Sequence, residues 1–336
     1  MTRRTRLTPS VADIRRAVRE NLERHGFASG DYVLVACSGG PDSLALAAAT
    51  AFEAPKLELK LAAVIVDHGI QEATAEVAKK TAETLAGLGF NPVEIVQVSV
   101  GTDGGLEAAA RSARYEAIDE VAAKLDAKYV LLGHTRDDQA ETVLLGLARG
   151  AGARSLSGMA ELTGRYLRPL LAITRETTVQ ACIDEGIQVW NDPHNTEERF
   201  ARVRVREVVL PVMERELGPG IAEALARTAD QLREDDYVLD ELSEQAYREL
   251  VTASSNSLTI SAKALADLAP AIRYRLIRLA GTTLGGHLNR SHVLEIDRLV
   301  TNWHGQKPLA VPSIRVERTG ENIVLRSTKT LKPGAC

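Results

Sequence analysis

The stretch Ser38-Gly39-Gly40-Pro41-Asp42-Ser43 decides the fold. It follows a short apolar run, Tyr32-Val33-Leu34-Val35-Ala36-Cys37, and precedes a run of good helix formers, Leu44-Ala45-Leu46-Ala47-Ala48-Ala49. A β-rich run, a Gly-Gly turn and then a helix is the layout of a phosphate cradle. Two glycines let the backbone approach an anion with no Cβ in the way. The N–H groups at the helix start lack intrahelical partners and point at that anion. Ser38 and Ser43 add hydroxyl donors, and Pro41 suits a first helical position. The plainer reading of the six residues is a strand-turn-helix corner built from polar turn residues.

Two absences separate this loop from commoner phosphate loops. No Gly-Lys-Ser/Thr follows, so it is not a Walker A loop. No third glycine follows, so it is not a dinucleotide fingerprint. Instead an acid, Asp42, sits where phosphates should lie, which makes sense if Mg²⁺ joins the two.

Outward from the loop, strands and helices alternate. Strands are expected at about Asp31–Cys37, Leu61–Val66, Val93–Val100 and Tyr129–Leu132, with helices at about 72–88, 106–125, 137–149 and 174–185. Ahead of them a first helix opens at Ser10, with Val11, Ile14, Val18 and Leu22 on one face. Such alternation predicts an α/β, doubly wound, mostly parallel sheet. Ligands of these sheets sit at the carboxyl ends of the strands. Those ends carry Ser38–Ser43, Asp67-His68-Gly69 and Gly133-His134, which should converge on one crevice. Leu210-Pro211 and Gly218-Pro219-Gly220 are expected to break the pattern. A catalytic domain over 1–217 is expected, then a smaller, mainly helical domain over 218–326, then a loose tail over 327–336. Val311–Arg318 and Asn322–Arg326 suit a hairpin, and Leu258–Ser261 is strand-like.

Composition sets the bounds. A chain of 336 residues with 45% hydrophobic and 26% charged residues is ordinary for two soluble domains. Cys37, Cys182 and Cys336 are scattered with no Cys-x-x-Cys, so neither a disulfide framework nor a zinc site is indicated, and a reducing cytoplasm fits. The basic N-terminus has no apolar region after it, so no signal peptide is expected. No stretch of about 18 apolar residues exists, so no membrane span is expected. The net charge of −4 announces no nucleic-acid partner, and any such contact must come from local patches.

Three further stretches carry chemistry. In Gly133-His134-Thr135-Arg136-Asp137-Asp138-Gln139-Ala140-Glu141-Thr142, Asp137 and Asp138 open a helix and Glu141 shares their face. Acids complementing the helix dipole explain one of them, but not His134 and Gln139. Paired acids in a phosphate cleft suit Mg²⁺ or a cationic substrate. His134 taken alone reads better as a satisfied core histidine. Arg111 and Arg114 share a helix face with Tyr115 and suit charge stabilisation on a transferring phosphate; a solvated face paired with Glu107 and Glu116 is as good a reading. Third, Asp192-Pro193-His194-Asn195 leads into Arg199, Arg202, Arg204 and Arg206. Arg202 and Arg206 make a stripe on a helix, enlarged by Arg149, Arg154, Arg165, Arg168 and Arg175. That favours contact with a nucleic-acid backbone, against the usual solvated face.

The loop resembles that of the PP-loop ATP pyrophosphatase superfamily. Taken with the other stretches, residues 30–206 resemble the tRNA(Ile)-lysidine synthetase family. Val66-Asp67-His68-Gly69, Ala110-Arg111-Ser112-Ala113-Arg114-Tyr115, Gly133-His134 through Gly158-Met159, Arg168-Pro169-Leu170-Leu171, and Asp192-Pro193-x-Asn195 with Arg202-x-Arg204-Val205-Arg206 carry the match. His194 and Val203 depart from it without removing an obvious catalytic group. The resemblance implies a carbon–nitrogen ligase. Its substrates are ATP, free L-lysine and tRNA(Ile) with a CAU anticodon. AMP goes from ATP to the C2 oxygen of the wobble cytidine, releasing pyrophosphate; the lysine ε-amine then attacks C2 and AMP leaves, giving lysidine.

Carried onto this chain, Ser38–Ser43, Asp67 and His68 would bind ATP, with Mg²⁺ at Asp42. Arg111, Arg114 and His134 join Asp42 as catalytic residues, His134 as a candidate base. Asp138 and Glu141 would hold lysine, and Arg199, Arg202, Arg204 and Arg206 would bind tRNA. The C-terminal residues would form a tRNA-binding domain, the chain being too short for the extra domain of longer members, and a homodimer is compatible with the family. A tRNA thiolation enzyme is the nearest rival and would need a sulfur relay. An amide-forming synthetase is third, and a non-enzymatic tRNA-binding protein predicts a decayed loop, where this one is intact.

Overall fold

Val33, Leu34 and Val35 are buried on both faces of a strand, as a central parallel strand with helices on each side requires. That strand is β1. In the computed structural model, which describes residues 7–67, 72–98, 106–150, 152–190 and 200–328, the chain runs α1 (Pro9–Arg24), β1 (Tyr32–Ala36), α2 (Pro41–Glu53), β2 (Lys60–Asp67), α3 (Glu72–Gly87), β3 (Val93–Gln97), α4 (Leu106–Lys124) and β4 (Tyr129–Leu132). It continues through α5 (Arg136–Ala148), α6 (Ala153–Leu156), the short β5 (Leu162–Thr163) and β6 (Tyr166–Leu167), and α7 (Arg175–Glu185). The sheet order is β3-β2-β1-β4-β6-β5, parallel except where β5 meets β6.

Side-chain alternation along β1 divides two cores. Val33 and Val35 pack with α1, α2 and α7 through Ile14, Val18, Leu46 and Cys182. Leu34 packs on the other face with Ile118, Val121 and Ala122 of α4. The sheet is therefore doubly wound as expected. Its order reverses between β1 and β4, and a crevice opens there. The first helix starts at Pro9 behind Thr8, one residue ahead of the expected Ser10.

Two glycines let the crevice close up. Gly39 has φ +83°, and a Cβ there would meet Thr81 Oγ1 at 2.6 Å. A Cβ on Gly133, at the end of β4, would meet the backbone of Asp42 and Ser43 at 2.9 Å. The loop after β4 is thus pressed against the start of α2.

After the described segment resumes, α8 (Ala201–Arg204) runs through a π-helical turn (Val205–Val209) into α9 (Leu210–Leu217). Leu210-Pro211 does not break this helix, contrary to expectation. The widened turn, with the Leu210 N–H bonded to Val205 O, precedes Pro211, and the proline takes an early position in α9. Then comes the long α10 (Ile221–Leu250), within which the chain divides into two compact units between Leu232 and Arg233.

The second unit is more sheet-rich than its sequence suggested. Strands β7 (Val251–Ser254), β8 (Ser257–Ser261), β9 (Leu309–Val311), β10 (Ile314–Thr319) and β11 (Asn322–Ser327) form an antiparallel sheet ordered β7-β8-β11-β10-β9. The expected hairpin is β10–β11, turning at Thr319↔Asn322. Helices α11 (Ala262–Asp267), α12 (Pro270–Thr283) and α13 (Arg290–Thr301) supply Leu265, Leu276, Ile277, Ile296 and Leu299 to a core shared with Leu258, Ile260, Ile314, Val316, Ile323 and Leu325. Among the described residues no helix is long and apolar enough to cross a membrane.

Gly133→Ala should therefore lower stability by roughly 1–3 kcal/mol, since backbone on both sides must move. Gly87→Ala, with open space around it, should stay within about 1 kcal/mol of the parent. Urea unfolding of both variants checks the contrast.

Candidate active site

The three described strand ends meet as the topology requires. Pro41 takes the first position of α2 and Gly40 caps it, leaving Asp42 in the first turn. The Ser43 hydroxyl accepts the Ser38 N–H at 3.1 Å and donates to Gly40 O at 3.0 Å, so it shapes the loop from inside. Ser38 is exposed beside it. The Trp190 N–H donates to Gly39 O at 3.0 Å, which brings a half-exposed tryptophan to the loop. Asp67 is buried at the end of β2. His68 and Arg199 lie outside the described residues, as do Asp192, Pro193, His194 and Asn195.

On α5, Thr135 and Asp138 form a capping box. Asp138 Oδ2 accepts the Thr135 N–H at 2.8 Å and its hydroxyl at 3.0 Å. Gln139 pins α5 to the following loop, accepting the Met159 N–H at 2.6 Å and donating to Met159 O at 2.8 Å. Asp137 accepts the Arg175 backbone N–H at 2.8 Å, at the head of α7. The helix-start acids therefore do local work, but each also serves a larger cluster.

Arg175 is at the centre of that cluster. Its Nε lies 3.3 Å from Asp42 Oδ2, one terminal nitrogen is 2.9 Å from Asp138 Oδ1, and the other is 3.2 Å from Glu141 Oε1. One guanidinium thus touches three carboxylates from two helices. Thr178, one turn along α7, donates its hydroxyl to Asp42 Oδ1. Glu141 has no exposed surface. It takes a second guanidinium, Arg206, in a two-pronged pair at 2.7 and 3.1 Å, while Arg202 lies 3.7 Å away. Arg202 and Arg206 do share a helical face, as their spacing implied, but that face meets Glu141. Apolar packing of Ala140, Leu144, Val205 and Leu210 holds the two segments together.

The cluster sets protonation. Burial raises the Asp42 pKa, against the lowering pull of Thr178 and Arg175. Burial would also raise Asp138, but Arg175, the Thr135 backbone N–H and His134 outweigh it and keep that carboxyl below its usual range. Arg175 itself is held more firmly protonated than a free guanidinium by the acids around it, despite burial. His134 is pushed down to about 4 by burial and by Arg168, Arg114 and Arg111, with Asp138 opposing, and its Nδ1 is buried without a partner among the described residues. A neutral imidazole therefore sits beside Asp138.

The remaining arginines divide. Arg111 donates to the Tyr115 hydroxyl at 3.3 Å, and its guanidinium lies 5.0 Å from that ring. Burial lowers the Arg114 pKa, as do Arg111 and Arg202, with Tyr115 opposing. No carboxylate pairs with either one among the described residues, which leaves positive charge for an anion. Arg168 is buried and tied to the carbonyls of Ala160 and Tyr166, and Arg165 pairs with Asp119 at 3.5 Å. Arg149, Arg154 and Arg204 remain on the surface. Arg175, read from the sequence as part of the basic patch, instead meets three carboxylates here, and Thr178 was marked by no local pattern.

Asp42, a carboxylate in the first turn of α2 whose oxygens meet Arg175 and Thr178, is of the oxygen-donor type that suits Mg²⁺. Cys37 and Cys182 are buried, and burial pushes both thiols up, Cys182 to about 12.

Known proteins give this geometry its context. A PP-loop domain family matches residues 11–213, and a TilS substrate binding domain family matches residues 260–321. The tRNA(Ile)-lysidine synthase of Thermobifida fusca is 53% identical over 95% of this chain and 98% of its own length. Those of Streptomyces coelicolor and Mycobacterium tuberculosis are 47% and 46% identical, each over 90% of this chain and 87% and 91% of their own. Among solved structures, the U34-tRNA thiolase NcsA of Methanococcus maripaludis superposes with a TM-score of 0.57 at 19% identity, covering 67% of this chain and 80% of that one, a likeness of fold alone. With relatives this similar over nearly their whole length, the chain belongs to the tRNA(Ile)-lysidine synthase family.

Proposed function

We propose that the chain joins free L-lysine to C2 of the wobble cytidine in tRNA(Ile) bearing a CAU anticodon, using ATP and releasing pyrophosphate and AMP. The observation that carries this reading is the acid cluster beside an intact phosphate loop: Asp42, Asp138 and Glu141 meet within reach of one guanidinium. An amine nucleophile needs anionic partners, and a thiol does not.

Each step has residues suited to it. The loop Ser38–Ser43 and the first turn of α2 take the triphosphate, with Asp67 at the neighbouring strand end. Asp42 would hold Mg²⁺, whose charge offsets that developing on the phosphates. Arg111 and Arg114, without acid partners, stabilise charge at the α-phosphate as the cytidine oxygen attacks. An unpaired anticodon base can be splayed into such a crevice. Asp138 and Glu141 receive the lysine ammonium. Its free pKa is about 10.4, so a base must take a proton as the C–N bond forms. His134, neutral and with Nδ1 unpartnered among the described residues, would suit this role. Arg204, with Arg199, suits the tRNA backbone, while Arg202 and Arg206 would act from beside Glu141. Lysine as substrate, Mg²⁺, a cytoplasmic setting and a homodimer belong to this reading.

Labelled lysine should enter a tRNA(Ile) transcript with a CAU anticodon only when ATP is present, and should not enter a methionine tRNA with the same anticodon. tRNA-dependent pyrophosphate release without lysine incorporation would reopen the choice of nucleophile. Asp42→Asn should cut pyrophosphate release by roughly 100-fold or more, as loss of a transition-state charge contact does. Glu141→Gln should slow lysine transfer at least about tenfold more than adenylation; equal loss of both half-reactions would refute that division.

The histidine also predicts a pH dependence. Its folded value, about 4, lies below the ordinary 6.5. Between those values the unfolded chain binds more protons, so stability falls as pH drops from 6.5 towards 4. His134→Gln should flatten that fall by on the order of 3 kcal/mol, measured by urea unfolding across the window.

A further inference from the structure

Arg175 sits where two substrate cations have to go. Its guanidinium faces Asp42 Oδ2, Asp138 Oδ1 and Glu141 Oε1 at 3.3, 2.9 and 3.2 Å. Those are the acids assigned above to Mg²⁺ and to the lysine ammonium. Neither cation can take its place while the guanidinium stays.

The backbone of Arg175 is anchored separately from its head. Thr174 caps α7, accepting the Thr177 N–H, and Asp137 holds the Arg175 N–H at 2.8 Å. The side chain beyond that pivot is partly exposed and borders the cradle through Asp42. A triphosphate bound there brings phosphate oxygens to the same neighbourhood. Guanidinium pairs two-pronged with phosphate at least as well as with carboxylate.

The acids respond unequally once Arg175 leaves. Glu141 keeps Arg206 at 2.7 and 3.1 Å, so its charge stays balanced. Among the described residues Asp138 Oδ1 keeps only Arg206, at 3.8 Å. Its other oxygen is committed to Thr135. Asp138 Oδ1 is therefore the oxygen most exposed to a new cation, and an ammonium suits it.

We propose that Arg175 is a displaceable counter-ion that closes the lysine site until nucleotide arrives: MgATP draws the guanidinium from Asp42 and Asp138 onto the triphosphate, and the uncovered acid then accepts the lysine amine. This rests on the assignment of the acids to metal and amine made under the proposed function. It makes Arg175 a positioning residue that couples two substrate sites, and it orders their filling, nucleotide before lysine.

Calorimetric titration of free lysine into the full chain, with and without Mg²⁺ and a non-hydrolysable ATP analogue, tests it. The parent chain should bind lysine at least about tenfold more tightly with nucleotide, within the range of site-to-site coupling. Arg175→Met keeps the apolar stem and removes the charge. It should bind lysine without nucleotide within about threefold of the nucleotide-loaded parent, and its coupling should fall below about threefold. Arg175→Lys keeps a cation that cannot reach three acids at once, and it should show intermediate coupling. If Arg175→Met does not fold, as shown by its thermal melt, Arg175→Lys decides alone.

Equal lysine affinity with and without nucleotide in the parent overturns the proposal. So does undiminished coupling in the folded variant. Loss of lysine binding by folded Arg175→Met in both conditions also overturns it, since Arg175 would then contact lysine itself. In each of these cases continued lysine incorporation into tRNA(Ile) leaves the proposed function standing. A parent that binds no lysine at all and incorporates none overturns both.

Discussion

Glu141 has no exposed surface, and an uncompensated carboxylate there would be very costly. The chain answers with guanidinium groups from two distant segments, Arg175 on α7 and Arg206 in the π-helical turn, with Arg202 close by. Asp42 and Asp138 are drawn into the same cluster. Buried ion pairs add little net stability, because desolvation consumes most of the attraction. Removing one partner, however, costs about 3–5 kcal/mol. The cluster therefore acts less as a source of stability than as a constraint on arrangement. The loop after β1, the start of α5, the start of α7 and the segment after residue 200 must stay together, because separating any one strands a charge.

That constraint explains why some of the site could be read from the sequence and some could not. The loop and the strand ends follow from local pattern: a buried run, two glycines, a proline and a helix. The acids of α5 were legible through their i,i+3 and i,i+4 spacing. Arg175 was not, because its partners Asp42 and Glu141 lie 133 and 34 residues away in the chain, and at a helix start it looked like one more surface base. Arg202 and Arg206 were correctly placed on one face. What covers that face depends on where α5 lies, which no local spacing reports. The five-stranded sheet of the second unit was underestimated for a different reason. Its strands are three to six residues long, too short for alternation to stand out from the helices around them.

The fold is shared with the thiolase, and a fold by itself does not fix the chemistry of its site. The side chains at the strand ends do. Here the two described cysteines are packed beneath the loop. Cys37 donates its thiol towards Ser43 Oγ at 3.4 Å, and Cys182 towards Pro41 O at 3.5 Å. Burial disfavours both thiolates, and Asp42 adds to the effect at Cys182. A thiolate is the reactive form of cysteine, so these two suit packing better than sulfur transfer. The Asp42 charge that adds to this effect at Cys182 would, on the proposed reading, also attract a cation.

Attraction of that kind creates a second requirement. Acids that bind an ammonium ion also hold its proton, so the groups that recognise lysine work against its reactivity. A separate acceptor has to remove the proton. An imidazole with a pKa near 4 is a weak base for free lysine at about 10.4, and it would gain little before attack. Once nitrogen has bonded to an electron-poor ring carbon, its remaining protons are far more acidic. On the proposed reading, a neutral acceptor beside Asp138 would take one as the C–N bond forms. Burial, with the nearby arginines, keeps His134 neutral, and on the proposed reading the same arginines would favour the anionic AMP that leaves. On that reading His134 would act during bond formation rather than prepare the amine beforehand.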